Sequence, residues 1–187
     1  MFFLQMSGFP GAGKSTLARL IAKNTNAVIV DHDIVKSALL NSTQELNIEL
    51  EMSGPISYSI DWSLIEFHLS QGHDVIYDSP CLYSEMIDKG TYLAKKYNAT
   101  YKYVECYLKD MEEINNRLKR RERMISQIQE VSSEESFHHA VDGSKRPSND
   151  PYLVVDSGQP LESYFNDVIN YVTESHGITG GDKFENH

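Results

Sequence analysis

Nine consecutive residues, Gly8-Phe9-Pro10-Gly11-Ala12-Gly13-Lys14-Ser15-Thr16, constrain this chain more than any other stretch. They match the phosphate-binding loop pattern G-x-x-x-x-G-K-[ST]. The motif works where a strand delivers it and a helix leaves it. Both signals are present: an apolar run over 2–6 before it, and an amphipathic helical pattern over 17–23 after it. Glycines at 8, 11 and 13 let successive N–H groups turn inward around phosphate oxygens, and the following helix adds the positive end of its dipole. Lys14 then reaches the β/γ-phosphates as a point charge, and the Ser15 hydroxyl ligates Mg²⁺.

The rest of the chain alternates between strand and helix patterns. Short apolar runs over 27–30, 74–77, 101–108 and 152–155 read as strands. Helical patterns fall over 34–40, 57–71, 82–97, from Met111 onward behind an Asp110 cap, and over 161–173. The helix over 57–71 carries Ile60, Trp62, Leu64, Ile65, Phe67 and Leu69 around most of its circumference, which predicts burial on more than one side, with Gly72 ending it. Ser53-Gly54-Pro55 reads as a break ahead of it. The stretch 126–136 is polar and helical at its start, 142–151 is a mobile loop, and the tail from His176 is frayed. Such alternation predicts a parallel sheet with helices on both faces and ligands beyond the carboxyl ends of the strands.

That rule singles out acidic residues at strand ends. Asp78 follows Val75-Ile76-Tyr77, the setting of an acid that holds Mg²⁺ directly or through water; the alternative is a helix cap. In the turn Asp31-His32-Asp33, Asp33 is placed to accept a proton from an acceptor hydroxyl, with Asp31 as its rival and capping as the alternative for either. His32 reads as a solvated or hydrogen-bonded turn residue. Farther on, Met111, Ile114, Leu118 and Ile125 form a helical stripe that puts Arg117 and Arg121 on its flank, able to neutralise charge on a transferring phosphate. Arg120 and Arg123 point to solvent, and His138 and His139 are surface residues.

Composition limits the partners. A chain of 187 residues fits one domain, over 1–175 with a tail over 176–187, and 40% hydrophobic with 24% charged residues describes a soluble globular protein. Net charge of −10 runs against a binder of nucleic-acid phosphates. The N-terminus lacks a basic export signal, and no run approaches a membrane span. Cys81 and Cys106 show no metal or redox spacing, so free buried thiols in a reducing, cytoplasmic setting are expected.

Together these segments resemble the small P-loop kinases of the adenylate-kinase-like and polynucleotide-kinase-like group, with gluconate kinase, zeta-toxin and chloramphenicol phosphotransferase relatives. The resemblance covers about 2–173. It rests on the loop at 8–16, the turn VDHD, the segment Gln71-Gly72-His73-Asp74-Val75-Ile76-Tyr77-Asp78 with its strand, the lid motif R-L-x-x-R at Arg117 to Arg121, and Lys145-Arg146-Pro147 before the last strand. It implies a three-layer P-loop NTPase fold with sheet order 2-3-1-4-5, a lid over about 117–147, and Asp33 as base. The activity implied is transfer of the γ-phosphate of ATP to a hydroxyl of a small acceptor lying near Asp33 and 41–57. A kinase of polynucleotide 5′-hydroxyls is the alternative. There the family often has Arg soon after the acidic turn, where this chain has Lys36, which makes no planar bidentate contact. A nucleotide-binding regulatory ATPase is the third reading.

Overall fold

The central strand β1 (Phe2–Ser7) is buried along its whole length, as a strand covered on both faces must be. The computed structural model describes residues 1–46 and 52–174. Around β1, β2 (Val28–Asp31), β3 (Val75–Asp78), β4 (Thr100–Tyr107) and β5 (Leu153–Asp156) form one parallel sheet in the order β2-β3-β1-β4-β5, as the resemblance implies. The register sets Leu4 between Ile76 and Lys102, and Asp31 directly beside Asp78.

Alternation along the strands separates two cores. On one face Leu4, Met6, Val104 and Cys106 pack against α1 (Lys14–Thr25), α5 (Met111–Arg120), α6 (Glu134–Asp142) and α7 (Phe165–Thr173). On the other, Phe3, Tyr77 and Tyr103 pack against α3 (Ser53–Ser70) and α4 (Ser84–Lys96). The remaining helix, α2 (His32–Glu45), packs on α3.

Several elements differ from the sequence expectations. Asp31-His32-Asp33 is no turn: β2 runs straight into α2, because Asp31 Oδ1 caps the helix by accepting from the N–H groups of Asp33 at 2.9 Å and Ile34 at 3.4 Å. Ser53-Gly54-Pro55 is no break either. It forms the first turn of α3, where the missing N–H of proline would have had no helical partner. Only one side of α3 meets the sheet: Trp62, Ile65 and Leu69 are buried, whereas Ile60, Leu64 and Phe67 stay exposed. The stretch 126–136 is not helical at its start. The helix lies later, as α6, where Ser133 Oγ accepts from Ser136 N–H and Phe137 and Val141 reach the core. Ile125 lies beyond the end of α5 and is exposed, so it is not part of the buried stripe. Gly72 ends α3 in the left-handed conformation and Asp110 caps α5, both as expected. The acidic positions over 47–51 and the tail over 176–187 lie outside the described residues.

Candidate active site

The loop between β1 and α1 is built on glycines that nothing else replaces. At Gly8, φ is +127° and an added Cβ would stand 2.2 Å from the Cys106 carbonyl oxygen, so the loop leaves β1 pressed against β4. Gly13 caps α1 in the left-handed region at φ +95°. Lys14 folds back over the loop, its Nζ donating to Gly8 O at 2.7 Å and Phe9 O at 3.1 Å. Phe9 packs edge-on against Phe137 of α6, with ring centroids 4.9 Å apart.

Four charged groups converge on this loop. Burial pulls the Lys14 ammonium below the usual lysine range, the carboxylates of Asp78 and Asp33 push it back up, and Arg121 lowers it further. Burial raises the Asp78 carboxyl, while Lys14 and the Ser15 hydroxyl draw it down. Asp78 and Ser15 thus face each other across the loop, an oxygen-only pair that suits a hard cation retaining most of its waters. Among the described residues no cluster of three or more His, Cys, Asp or Glu forms a metal cage.

The acidic pair at β2 and α2 divides its work. Asp31 is spent on the α2 cap, and burial beside Asp78 and Asp33 pushes its carboxyl up to about 6. Asp33 instead projects toward the loop after α5, receiving Gln127 Nε2 at 2.8 Å and Ser126 Oγ at 3.3 Å. Neither of these partners is legible from the motifs, since a polar loop gives no sign of which α-helix it will touch. His32 is hydrogen-bonded, as one of the two readings had it, but it is neither solvated nor in a turn. It is buried at the start of α2, its Nδ1 2.6 Å from Asp61 Oδ2, its ring stacked on Tyr58, and Tyr77 donates to the same carboxylate at 3.0 Å.

Arg117 and Arg121 are half-buried, and Arg120 and Arg123 are exposed, but α5 ends at Arg120, so Arg121 and Arg123 lie beyond the helix rather than beside its stripe. Arg117 Nε pairs with Glu113 at 2.8 Å and Nη2 donates to Ser157 O at 2.9 Å, with Nη1 3.9 Å from where a Cβ on Gly13 would stand. Arg121 Nη2 donates to Ile128 O at 2.9 Å, its Nε has no partner, and its charge is felt by Lys14 and Asp33. Arg146 closes on buried Glu105 at 2.6 Å, and Tyr103 donates to Lys145 O, which pins this segment to β4. A cleft of about 360 Å³ opens between Ser7, Gly8 and Phe9 of the loop, Pro80 to Leu82 after β3, and Gly143 to Lys145. Both cysteines are buried free thiols, pushed by burial up to about 11 at Cys81 and about 12 at Cys106.

Residues 4–137 match the AAA domain family. The chain belongs to that family. This AAA domain also shares its fold with solved kinases. A sugar kinase from Janibacter sp. HTCC2649 superposes with a TM-score of 0.65 at 17% identity, covering 92% of this chain and 96% of that one. A gluconokinase from Sinorhizobium meliloti 1021 gives 0.60 at 15%, covering 91% of each chain. The Mycobacterium tuberculosis APS kinase CysC, in complex with AMPPNP and APS, gives 0.59 at 14%, covering 92% and 98%. No curated protein sequence matches the chain. Among the described residues no helix of the AAA domain is long and apolar enough to cross a membrane.

Proposed function

We propose that this AAA domain is a P-loop kinase that transfers the γ-phosphate of ATP to a hydroxyl of a small-molecule acceptor, working in the cytoplasm. The observation that carries the reading is the meeting of Lys14, Ser15, Asp78, Asp33 and Arg121 around one glycine loop at the carboxyl ends of β1, β2 and β3. A carboxylate left free of the α2 cap, which Asp31 supplies, and facing the loop after α5 supports a catalytic role over nucleotide binding alone. The APS kinase of the same fold, solved in complex with AMPPNP and APS, supports the nucleotide assignment.

In this reading the N–H groups over 8–16 cradle the triphosphate, and Lys14 exchanges its bonds to Gly8 O and Phe9 O for phosphate oxygens. Ser15 and Asp78 would hold Mg²⁺, which when bound would supply positive charge against that of the phosphates. Asp33 accepts the proton of the acceptor hydroxyl as that oxygen attacks phosphorus and the bond to the β-phosphate oxygen breaks. Arg121 offers its unpartnered Nε–H to the charge that builds up, and Arg117 holds the α5 end against Gly13. The acceptor occupies the space between Asp33 and the cleft beside Pro80 to Leu82. The segment 117–147 acts as the lid that excludes water.

The test compares Asp33→Asn with Asp31→Asn. Asp33→Asn slows phosphoryl transfer by about a hundredfold or more, the usual worth of a general base, while ATP affinity changes little. Equal loss of transfer and ATP binding in Asp33→Asn, or a slow step that follows Asp31→Asn instead, refutes Asp33 as the base.

A further inference from the structure

The loop after α5 reaches back to the first turn of α2 and grips the side chain assigned above as the base. Its turn over 124–127 is closed by Gln127 N–H on Met124 O at 3.0 Å, and Arg121 Nη2 ties its start to Ile128 O at 2.9 Å. From this turn both oxygens of Asp33 are engaged: Gln127 Nε2 donates to Oδ2 at 2.8 Å and Ser126 Oγ to Oδ1 at 3.3 Å. The Ser126 hydroxyl shares its proton with Asp33 O at 3.2 Å and itself accepts from Ser37 Oγ at 2.8 Å. Ser37 Oγ accepts in turn from Ser126 N–H at 3.3 Å.

The orientation of the Gln127 amide is determined by its neighbours. Its Oε1 accepts from Met124 N–H at 3.2 Å, so the NH₂ faces the carboxylate. A flipped amide would set two donors against each other at Met124 and two acceptors at Asp33. A donor fixed in this way holds a carboxylate in one rotamer, and each carboxylate oxygen keeps a further lone pair for a substrate proton.

We propose that Gln127, supported by Ser126, is a positioning residue for Asp33. Through it the arginine-bearing loop and the base take up their working geometry together. The proposal rests on the reading of Asp33 as base. It follows from chain continuity: Arg121 and Gln127 belong to one hydrogen-bonded loop, so placing Gln127 on Asp33 also sets the guanidinium that feels the Asp33 charge. Simple anchoring of the loop by the same bond predicts instead a loss that shows in thermal stability and in KM for ATP rather than in kcat.

A double-mutant cycle separates these cases. Steady-state ADP release from Mg²⁺-ATP is measured with water as acceptor, then with the most active compound of an acceptor panel, for wild type, Gln127→Ala, Asp33→Asn and the double variant. Ser126→Ala is run alongside, and thermal unfolding confirms that each variant is folded. Gln127→Ala lowers kcat about tenfold, the worth of one hydrogen bond to a charged group, with KM for ATP within about twofold. Ser126→Ala gives a smaller loss in the same sense. In the Asp33→Asn background Gln127→Ala has no further effect. An equal loss in both backgrounds, no loss in wild type, or a loss carried by KM for ATP and the unfolding temperature with kcat unchanged overturns the proposal. If Asp33→Asn itself turns over as fast as wild type, the base assignment fails and the positioning role falls with it.

Discussion

Asp31 and Asp78 stand side by side in the sheet register, and both carboxyls are raised. The Asp31 carboxyl sits at about 6 in the folded protein against an ordinary 3.8, because it is buried beside two other carboxylates. Between those two pH values the folded protein holds a proton that the unfolded chain has released. Stability therefore falls as pH rises from 3.8 to about 6 and stays lowered above it. Asn caps helices as well as Asp does, so Asp31→Asn keeps the α2 cap and removes the charge. The variant gains about 1–2 kcal/mol at pH 7, discounted from the full shift for solvent screening, and nothing below pH 3.8. Urea unfolding at the two pH values reads this out. Gly8 gives the opposite sign: with φ at +127° and Cys106 O 2.2 Å from the added methyl, Gly8→Ala costs about 2–4 kcal/mol and weakens ATP binding. At this scale the sequence is legible where a motif dictates backbone geometry, as at Gly8, Lys14 and Ser15. It is silent where a contact joins distant segments, as at His32 with Asp61 or Asp33 with Gln127.

Among the elements, α6 couples stability to the site. Phe137 is fully buried and stands edge-on to Phe9 of the glycine loop, so the loop leans on a helix far from it in sequence. Phe137→Ala costs about 3–5 kcal/mol in urea unfolding and also raises the Kd for ATP, because Phe9 loses its support. Removing only the helix cap, by Ser133→Ala, costs about 1 kcal/mol and leaves the Kd nearly unchanged. Equal effects of the two variants on ATP binding would show that Phe9 does not depend on the Phe137 ring. The signals for α6 were present in a Ser133 cap followed by two glutamates and an i, i+4 pair of apolar residues, Phe137 and Val141. They are short and sit in a polar stretch, where the eye follows composition. The contrary case is α3, whose apolar circumference predicts burial on more than one side. It meets the sheet on one side and α2 packs on it as well, yet Ile60, Leu64 and Phe67 stay exposed.

For the molecule as a whole, the strand order determines which loops can meet. With β1 at the centre, its loop is flanked by the ends of β3 and β4, and that is why Asp78 and the Cys106 carbonyl both touch it. Five strands and their parallel sense follow from the alternation of patterns. The order 2-3-1-4-5 came from resemblance alone, since nothing local in a strand names its neighbour. The proposed acceptor is the least legible feature, because in this account it would be chosen by the shape of a cleft assembled from the glycine loop, the segment after β3 and the segment after α6. The most direct test is ADP release from Mg²⁺-ATP in the presence of nucleosides, sugars, hydroxylated antibiotics and 5′-hydroxyl oligonucleotides, with Lys14→Ala beside wild type. The account predicts stimulation by a small hydroxyl compound, lost in a folded Lys14→Ala variant. Stimulation that survives Lys14→Ala, or that only oligonucleotides elicit, would contradict it.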